Sequence, residues 1–547
     1  MIERLACDIL KDKYFISLNN KAAKLMAGAL FLEPIEKTDF SDKEFRDIMR
    51  CADILSNSKT PIARNKAYQI ITLLNSTYES NPLYRTFSHA VLAKLGNFPG
   101  IEFLKESNNN HSQLPLDRDW EKKIKEFVQA VPESDKLIFT DSQYELYTKI
   151  SNAKQFSFSG PTSMGKSFII KSFIRKVISN KPPENIVVMV PTRALINQFS
   201  IDFNRELKDS LDHYGFKVVT NSNVPDLPPD AKQNYLFVLT PERFLSYLSQ
   251  SNNPKISYLF IDEAHKLAAE KDARSITAYS AISRALRQNP NLNLYFSSPN
   301  VSNPEVFLKL FKKDQTFQYK TIEAPVAQNL FFIDLLEKKA THYLDDEAYD
   351  FEPQLLKKIT NFYELIIKTG GTESNIIYCS SKLDSVEKSR LLFEERKNEE
   401  IPQSKNIQKA IRQIRGYIHK DYYLCDFLTK GIGYHFGTLP QIIRNKVETL
   451  FKEKEINYVF CTSTLLEGVN LPAKNVFILN NRNGGKPFQP IDFWNLAGRA
   501  GRLKLELSGN IICVREKEGD WKKHNDLLAN KKAEINLNPT VENYIDR

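Results

Sequence analysis

Gly160-Pro161-Thr162-Ser163-Met164-Gly165-Lys166-Ser167 fits the pattern G-x-x-x-x-G-K-[ST] and lies between an apolar run, FSFSG, and a stretch with helical spacing, FIIKSFIRKVI. Glycines let the backbone curl so that its N–H groups and the helix N-terminus face phosphate. Residues Gly160 to Ser167 are therefore candidates for wrapping a nucleotide's phosphates, with Lys166 reaching the β and γ groups and Ser167 holding magnesium. A phosphate loop alone leaves kinases, GTPases, transporters and motors open, so the rest of the chain must decide.

Outward from this loop, from about Asp135, short β-branched and aromatic runs alternate with helical stretches. The runs are FSFSG, NIVVMVPT, NYLFVLTPE, SYLFIDEAH and LNLYFSSP, and the alternation predicts a parallel sheet covered by helices. A second series, NIIYCSS, GIGYHF, NYVFCTS, NVFILN and GNIICV, begins near Asn375 after a connecting segment rich in Glu, Lys and Tyr. Upstream, apolar residues recur at helical spacing, as in Ala22, Leu25, Met26, Leu30 and in Ala67, Ile70, Ile71, Leu74, and Asn108-Asn109-Asn110 marks a linker. The expected architecture is an α/β chain with two tandem parallel-sheet lobes, at 126–325 and 326–515, preceded by an all-α domain at 1–125 and followed by the start of an extension at 516–547.

Ser257 to Ile261 form an apolar strand that ends in Asp262-Glu263-Ala264-His265. At that place Asp262 suits the magnesium shell, and Glu263 suits a site beside the γ-phosphate where it orients and deprotonates an attacking water. In an arbitrary protein this tetrapeptide reads as an acidic helix start. Downstream of a phosphate loop, and at a strand's end, it reads as functional.

With these two motifs in order, the chain resembles the superfamily 2 DEAD/DEAH-box helicases, over about 135 to 515. The resemblance implies RecA-like lobes, ATP and Mg2+ as cofactors, and DNA or RNA with a single-stranded region as partner. Gln143 stands where the family reads adenine, and His265 joins the nucleotide site. Pro191-Thr192-Arg193-Ala194-Leu195 looks like motif Ia and Thr240-Pro241-Glu242-Arg243 like motif Ib, which in the family grip one strand's backbone through Pro191, Thr192, Arg193, Thr240, Pro241 and Arg243. Ile376 to Ser381 resembles motif IV, and Thr462-Ser463-Thr464-Leu465-Leu466-Glu467-Gly468-Val469-Asn470-Leu471-Pro472 resembles motif V. That match implies nucleic-acid contacts at Thr462 and Thr464 and nucleotide contacts at Gly468 and Asn470. Asn495-Leu496-Ala497-Gly498-Arg499-Ala500-Gly501-Arg502 resembles motif VI, whose arginines, here Arg499 and Arg502, serve the γ-phosphate as charge develops in the transition state. A merely solvated basic loop would leave the neighbouring glycines without a purpose.

The stretch Gly431 to Pro440, followed by Arg444, Glu448 and Phe451, resembles a motif of the Ski2-like branch, and there His435 fits a nucleic-acid contact. Resemblance to that branch implies 3′ to 5′ movement. Asn483-Gly484-Gly485 predicts a hairpin between motifs V and VI, where related helicases place a strand-separating element. A helical domain ahead of a Ski2-like core also resembles helicase subunits of bacterial antiphage systems of the Hachiman type.

Three departures qualify the match. Ser297-Ser298-Pro299-Asn300 replaces the usual S-A-T of motif III, and Asn495 replaces a glutamine, one methylene longer, at the start of motif VI. The chain also ends soon after motif VI, where Ski2-like relatives continue into winged-helix and ratchet domains, so it is either part of a longer chain or a partner supplies those parts.

Composition agrees with a globular chain: 547 residues, 41% hydrophobic and 26% charged, with a net charge of +10 that favours a polyanionic partner. No apolar run is long enough to span a membrane, and MIERLACDILKDKYF lacks the form of a secretory signal, so a cytoplasmic protein with no membrane partner is expected. The six cysteines Cys7, Cys51, Cys379, Cys425, Cys461 and Cys513 form no C-x-x-C pair and are expected to be reduced core residues. No H-E-x-x-H occurs, so no metal beyond the nucleotide's magnesium is expected. Three activities fit these motifs: a processive ATP-dependent helicase, an ATP-gated clamp or remodeller that does not unwind, and a nucleic-acid sensor that controls a partner effector such as a nuclease.

Overall fold

A computed structural model describes residues 1–32, 40–106, 114–134, 137–180, 184–224, 233–268, 273–344, 347–463, 471, 473–501, 503, 505–522 and 527–528. The Asn108–Asn110 linker lies outside them. The chain divides into two compact units. One contains Lys123–Glu323; the other combines Met1–Lys122 with Ala324–Leu466 and Asn470–Lys531.

The Lys123–Glu323 unit is built on strands β1 (Gln155–Gly160), β2 (Ile186–Met189), β3 (Phe216–Val219), β4 (Asn234–Leu239), β5 (Tyr258–Ile261), β6 (Asn293–Pro299) and β7 (Gln318–Lys320). They form one sheet in the order β3-β4-β2-β5-β6-β1-β7, and every pair is parallel. The inner strands are apolar on both faces because helices cover both, as a parallel sheet requires. The unpredicted β3 and β7 escape that signature: β7 is an edge strand whose Gln318 and Lys320 are exposed around a buried Tyr319, and β3 buries Phe216 fully.

The other unit holds β8 (Ala327–Asp334), β9 (Lys339–Leu344), β10 (Glu347–Phe351), β11 (Asn375–Tyr378), β12 (Ile432–His435), β13 (Tyr458–Cys461), β14 (Asn475–Ile478), a hairpin of β15 (Arg482–Asn483) and β16 (Lys486–Pro487), and β17 (Ser508–Arg515). The large sheet runs β10-β9-β8-β17-β14-β11-β13-β12, and it is mixed, since β8, β9 and β10 pair antiparallel. The segment read from sequence as a connection thus contains three strands. In β9 the buried residues Ala340, His342 and Leu344 alternate with Lys339, Thr341 and Tyr343, which hides its strand character within a polar composition.

Among the described residues seven helices run from Ile2–Lys11 to Leu116–Val128, ahead of an eighth, Asp141–Ser151, that leads into β1, and the first of them bury the spacing read from sequence, including Ala22, Leu25, Met26, Ala67, Ile70, Ile71 and Leu74. The Ser41 side chain accepts from the Glu44 N–H while the Glu44 carboxylate accepts from the Ser41 N–H, a capping box that starts the third helix. The layer formed by the helices of Met1–Lys122 is anchored on the mixed sheet. Phe31 meets Phe331 of β8 and Phe351 of β10 edge to face, at 5.9 and 5.6 Å. The buried Tyr68 hydroxyl lies 2.8 Å from both the Pro325 and Leu507 carbonyl oxygens, and the Asn97 amide donates to Pro325 O at 3.0 Å.

Cys379, Cys425, Cys461 and Cys513 are buried thiols as expected, whereas Cys51 is half-buried and Cys7 is exposed on the first helix, correcting the reading of all six as core. No helix among the described residues is long and apolar enough to cross a membrane.

Candidate functional site

The strand order assembles the site in the first sheet. The phosphate loop follows β1, Asp262 follows β5, and β6 lies between them, so the ends of three adjacent strands converge. Ligands in open parallel sheets bind at the carboxyl ends of strands. The loop runs from Gly160 through a short turn at Thr162–Met164 to Gly165, whose φ of 79° is left-handed, and then into the helix Lys166–Ile178. A Cβ on Gly160 would stand 2.6 Å from the sulfur of the flexible Met164 side chain and 3.3 Å from Thr321 Cγ2, which shows how closely the loop returns.

The buried Lys166 ammonium donates to Gly160 O and Pro161 O, each at 3.1 Å, and so lies inside the curl of the loop. The Thr162 and Ser163 hydroxyls are buried without a hydrogen-bond partner among the described residues. Buried polar groups are normally paired, so a loop with two orphaned hydroxyls and an inward ammonium fits a polyphosphate. Ser167 is half-buried at the start of the helix.

Gln143 is buried and supports this loop. Its Nε2 donates to Met164 O at 2.8 Å, and its Oε1 accepts from the Thr140 N–H at 3.0 Å in a capping box that opens the helix Asp141–Ser151. One N–H and one lone pair of the amide stay available, which is the pairing an adenine edge requires.

Asp262 is buried, and its backbone N–H donates to Met189 O at 3.0 Å. Burial pushes its carboxyl up, while the charge of Lys166, the Ser297 hydroxyl and the Glu263 N–H pull it back down. Glu263 has a φ of 54°, a left-handed backbone that a glutamate seldom adopts, and strain of this kind concentrates at functional positions. Its Oε2 lies 3.2 Å from Nδ1 of the buried His265. Burial, with Lys266 and Lys166 adding to it, holds the His265 ring well below its usual range, so this is a contact between a carboxylate and a neutral imidazole. Ser167 and Asp262 are the groups that could hold a divalent cation.

Motif III, though altered in sequence, occupies the place between these parts. The Asn300 N–H donates to Gly160 O at 3.2 Å, the Val301 N–H donates to the Ser159 hydroxyl at 2.7 Å, and Ser297 neighbours Asp262.

Farther along the same edge, β2 and β4 are neighbours, and each feeds a helix capped by threonine. Thr192 accepts from the Leu195 N–H and Thr240 from the Arg243 N–H. Pro191 and Thr192 are half-buried and Arg193 is exposed, while Thr240 and Pro241 are buried and the Arg243 guanidinium donates to Thr220 O at 2.7 Å. Motif Ib therefore presents a helix N-terminus more than free side chains. A cavity of about 70 Å³ is lined by Thr192, Pro241, Asp262 and Glu263 among others, so the segments matched to motifs Ia and Ib share one edge with Asp262 and Glu263.

In the second unit, Thr462 follows β13 and is buried, its N–H donating to His435 O at 3.3 Å. His435 is fully buried at the end of β12, with Nε2 3.0 Å from a Glu448 carboxylate oxygen. The ring is enclosed, with Nε2 on the helix Gln441–Lys452 and Nδ1 buried without a hydrogen-bond partner among the described residues, so it is not presented at the surface as its reading as a nucleic-acid contact expected. Motif VI lies on the helix Pro490–Ala497 and the turn after it. The Gly501 N–H donates to Ala473 O at 2.7 Å, and the Ala473 N–H donates to Arg499 O at 2.9 Å. Asn495 is buried with Oδ1 unpartnered among the described residues. Arg502, Thr464, Gly468 and Asn470 lie outside the described residues.

The motif VI glycine has a packing purpose of its own, which overturns the argument that only function explains it. Gly501 has a φ of 85°, and a Cβ on it would stand 2.4 Å from the Val326 Cγ1 and 2.9 Å from Gly509 N. Gly509, unremarked in the sequence, is its counterpart in β17, where a Cβ would stand 2.1 Å from Gly501 N. A glycine inside an apolar strand signals such a close backbone approach. The hairpin expected from Asn483-Gly484-Gly485 is present, with Arg482 opposite Pro487 and Asn483 opposite Lys486.

Comparison with known proteins agrees with this arrangement. The pattern of the DEAD/DEAH box helicase matches residues 140–300 and that of the helicase conserved C-terminal domain matches 411–504. Anti-bacteriophage protein B of Escherichia coli strain K12 is 25% identical over 496 residues, covering 88% of this chain and 60% of that protein. Hachiman protein HamB of Bacillus cereus is 23% identical over 414 residues, covering 68% and 36%. The ATP-dependent DNA helicase Hel308 of Methanococcus vannielii is 24% identical over 391 residues, covering 68% and 50%. The chain thus spans 60% or less of the length of these relatives.

Proposed function

We propose, of a chain that carries a DEAD/DEAH box helicase domain followed by a helicase conserved C-terminal domain, that it is an ATP-driven helicase or translocase moving 3′ to 5′ along a single strand, as its resemblance to the Ski2-like branch implies. The observation that carries this reading is the convergence of an inward Lys166, a buried Asp262 and a strained Glu263 at the ends of neighbouring strands. Lys166 meets the β and γ phosphates, and Ser167 with Asp262 holds magnesium. When bound, the magnesium neutralises the charge on the transferred phosphoryl group. Glu263 orients the attacking water and takes its proton. Arg499 and Arg502 of the second lobe stabilise the charge that develops on the γ-phosphate. Each cycle then shifts motifs Ia, Ib, IV and V along a backbone that they hold through phosphate, which makes binding salt-dependent and largely blind to sequence.

The deciding experiment is ATP hydrolysis with and without single-stranded DNA and RNA, for the wild type and for Glu263→Gln. Stimulation by one nucleic acid, lost in the variant, supports the motor and names its track; hydrolysis indifferent to both would overturn it. Strand displacement measured alongside separates a helicase from an ATP-gated clamp.

A second reading, a sensor that controls a partner effector in antiphage defence, has one specific observation in its favour. The match to anti-bacteriophage protein B covers 88% of the chain, which leaves uncovered fewer residues than the helical layer Met1–Lys122 contains. Part of that layer is therefore shared with an antiphage protein. Copurification of a nuclease with the chain supports the sensor, and a lone chain that unwinds at full rate counts against it.

A further inference from the structure

The helix Lys405–Tyr417 carries four cations, Lys405, Lys409, Arg412 and Arg415, and no carboxylate. Ile407, Ala410, Ile411 and Ile414 face the core, so the cations share the solvent side. A surface helix normally mixes both signs, because like charges along one face repel. Across from it, the helix Gln441–Lys452 has a single carboxylate, Glu448, and that one is engaged by His435 at 3.0 Å. Of the carboxylates nearby, Asp426 lies 3.6 Å from Arg415 and Asp421 is exposed beside His419, whose Nδ1 accepts the Asp421 N–H, while at the opposite end of the helix the Asn406 amide donates to Glu453 and Glu455. Among the described residues Lys409, Arg412, Lys420 and Lys446 have no ion pair.

Between the two helices runs an open groove of about 580 Å³, lined by Gln413, Gly416, Tyr417, Ile442, Asn445 and Lys446. None of these is acidic. Tyr417 is 60% exposed, although a ring of that size normally finds cover. Gly416 is the second observation. It sits in the last turn of the helix with nothing within 4 Å of where a Cβ would be, and its φ is not left-handed, so neither packing nor backbone requires glycine. Glycine in a helix costs about 0.5–1 kcal/mol against alanine, and a bare backbone at a groove floor admits a close approach.

We propose that this groove is a nucleic-acid subsite on the second lobe: Lys409, Arg412 and Lys446 take phosphodiester groups, one base stacks on Tyr417, and Gly416 leaves room for the strand. The proposal rests on the reading of the chain as a nucleic-acid motor and adds to it a contact on the helix Lys405–Tyr417, which no motif names, facing the helix that follows Pro440. An exposed aromatic among unpaired cations is the arrangement that binds single strands irrespective of sequence. An acidic peptide would leave the ring unused.

The test is fluorescence anisotropy of the full chain with single-stranded DNA and RNA oligonucleotides across a salt series. Tyr417→Ala should weaken binding by about tenfold, the effect of losing one stacked base. Joint replacement of Lys409, Arg412 and Lys446 by glutamine should flatten the slope of log affinity against log salt by about 2, since each phosphate contact to a single strand contributes about 0.7. Gly416→Leu fills the groove with a better helix former, so it should weaken binding without lowering the melting temperature. Wild-type binding that all three changes leave intact overturns the groove and spares the motor. A wild type that binds neither oligonucleotide overturns both. Unchanged oligonucleotide binding together with loss of poly-glutamate binding also overturns the groove, in favour of an acidic protein partner.

Discussion

Replacing Gly509 by alanine, a change outside every helicase motif, should silence turnover while leaving nucleotide binding in place. The added Cβ would stand 2.1 Å from Gly501 N, 2.2 Å from the Ala500 carbonyl carbon and 2.7 Å from its oxygen. Relief to ordinary contact needs a movement of roughly 1 Å or more, and overpacking of this order costs about 1–3 kcal/mol. The strand cannot supply the movement, because β17 is hydrogen-bonded along its length to β8 on one side and over Asn510 to Cys513 to β14 on the other. The motif VI turn has no such ladder: two bonds between Ala473 and the Arg499 and Gly501 backbone and the Gln328 amide on Ala497 O and Ala500 O hold it, so the turn yields before the strand and carries Arg499, the proposed γ-phosphate partner, with it. A 1 Å misplacement of a catalytic group costs on the order of 100-fold in rate. The expected outcome is a cooperative melt, affinity for a fluorescent ATP analogue within about twofold of wild type because the phosphate loop is untouched, and nucleic-acid-stimulated turnover down by about 100-fold. Gly485→Ala, where a Cβ meets nothing within 4 Å, serves as the control. Turnover within about threefold of wild type in a folded Gly509→Ala protein would refute the argument, since the predicted loss is far larger.

Gln143→Glu sets a carboxylate oxygen against Met164 O, where the amide now donates at 2.8 Å; the KM for ATP should rise at least about tenfold in steady-state assays, given that an unsatisfied buried polar pair costs about 1–3 kcal/mol. His342, buried in β9 and stacked on Phe331 at 4.4 Å, has its ring held down to about 3 by burial. A depressed folded value means stability that is complete above the unfolded value near 6.5 and lost as pH falls below it, by about 2 kcal/mol at pH 5. Urea unfolding of His342→Leu at pH 7.5 and pH 5 should show that share of the pH dependence removed, and an unchanged dependence would count against it. Tyr68→Phe removes the hydroxyl that reaches both Pro325 O and Leu507 O at 2.8 Å, while the Asn97 amide and the Ala327 N–H still donate to those carbonyls; urea unfolding should report a loss of about 0.5–1.5 kcal/mol, the net worth of one hydrogen bond, and wild-type stability would show that the helical layer is held without it.

The first sheet was legible where a strand is buried on both faces and ends in a motif, as at β1, β5 and β6. Of the strands that escaped, β3, β7, β9 and β10 lie toward the edges of their sheets, where side chains face water and the run reads as polar, whereas β8 is an interior strand buried from Asn329 to Asp334 that edge exposure does not explain. Which sheet the helical layer serves was not legible at all, because its anchors, Phe31 on Phe331 and Tyr68 on Leu507, join residues hundreds of positions apart with no local pattern to announce them. His435 shows the opposite failure: a motif spelling suggested a surface role, while the fold turned the ring inward to Glu448.

Gly501 carries the deeper lesson about reading motifs. Its left-handed φ and its contact with Gly509 would require glycine in a protein that hydrolysed nothing, so that letter of motif VI reports packing rather than chemistry. Glu263 is the contrasting case. Its carboxylate lies 3.2 Å from His265 Nδ1 at the end of β5, and a glycine or asparagine would sit on that left-handed backbone at lower strain. Leu32, Glu133, Lys312, Lys338 and Lys454 share that left-handed backbone, so it is the position of Glu263, directly after the buried Asp262 at the end of β5 and two strands from the phosphate loop's β1, that supports its proposed part in hydrolysis.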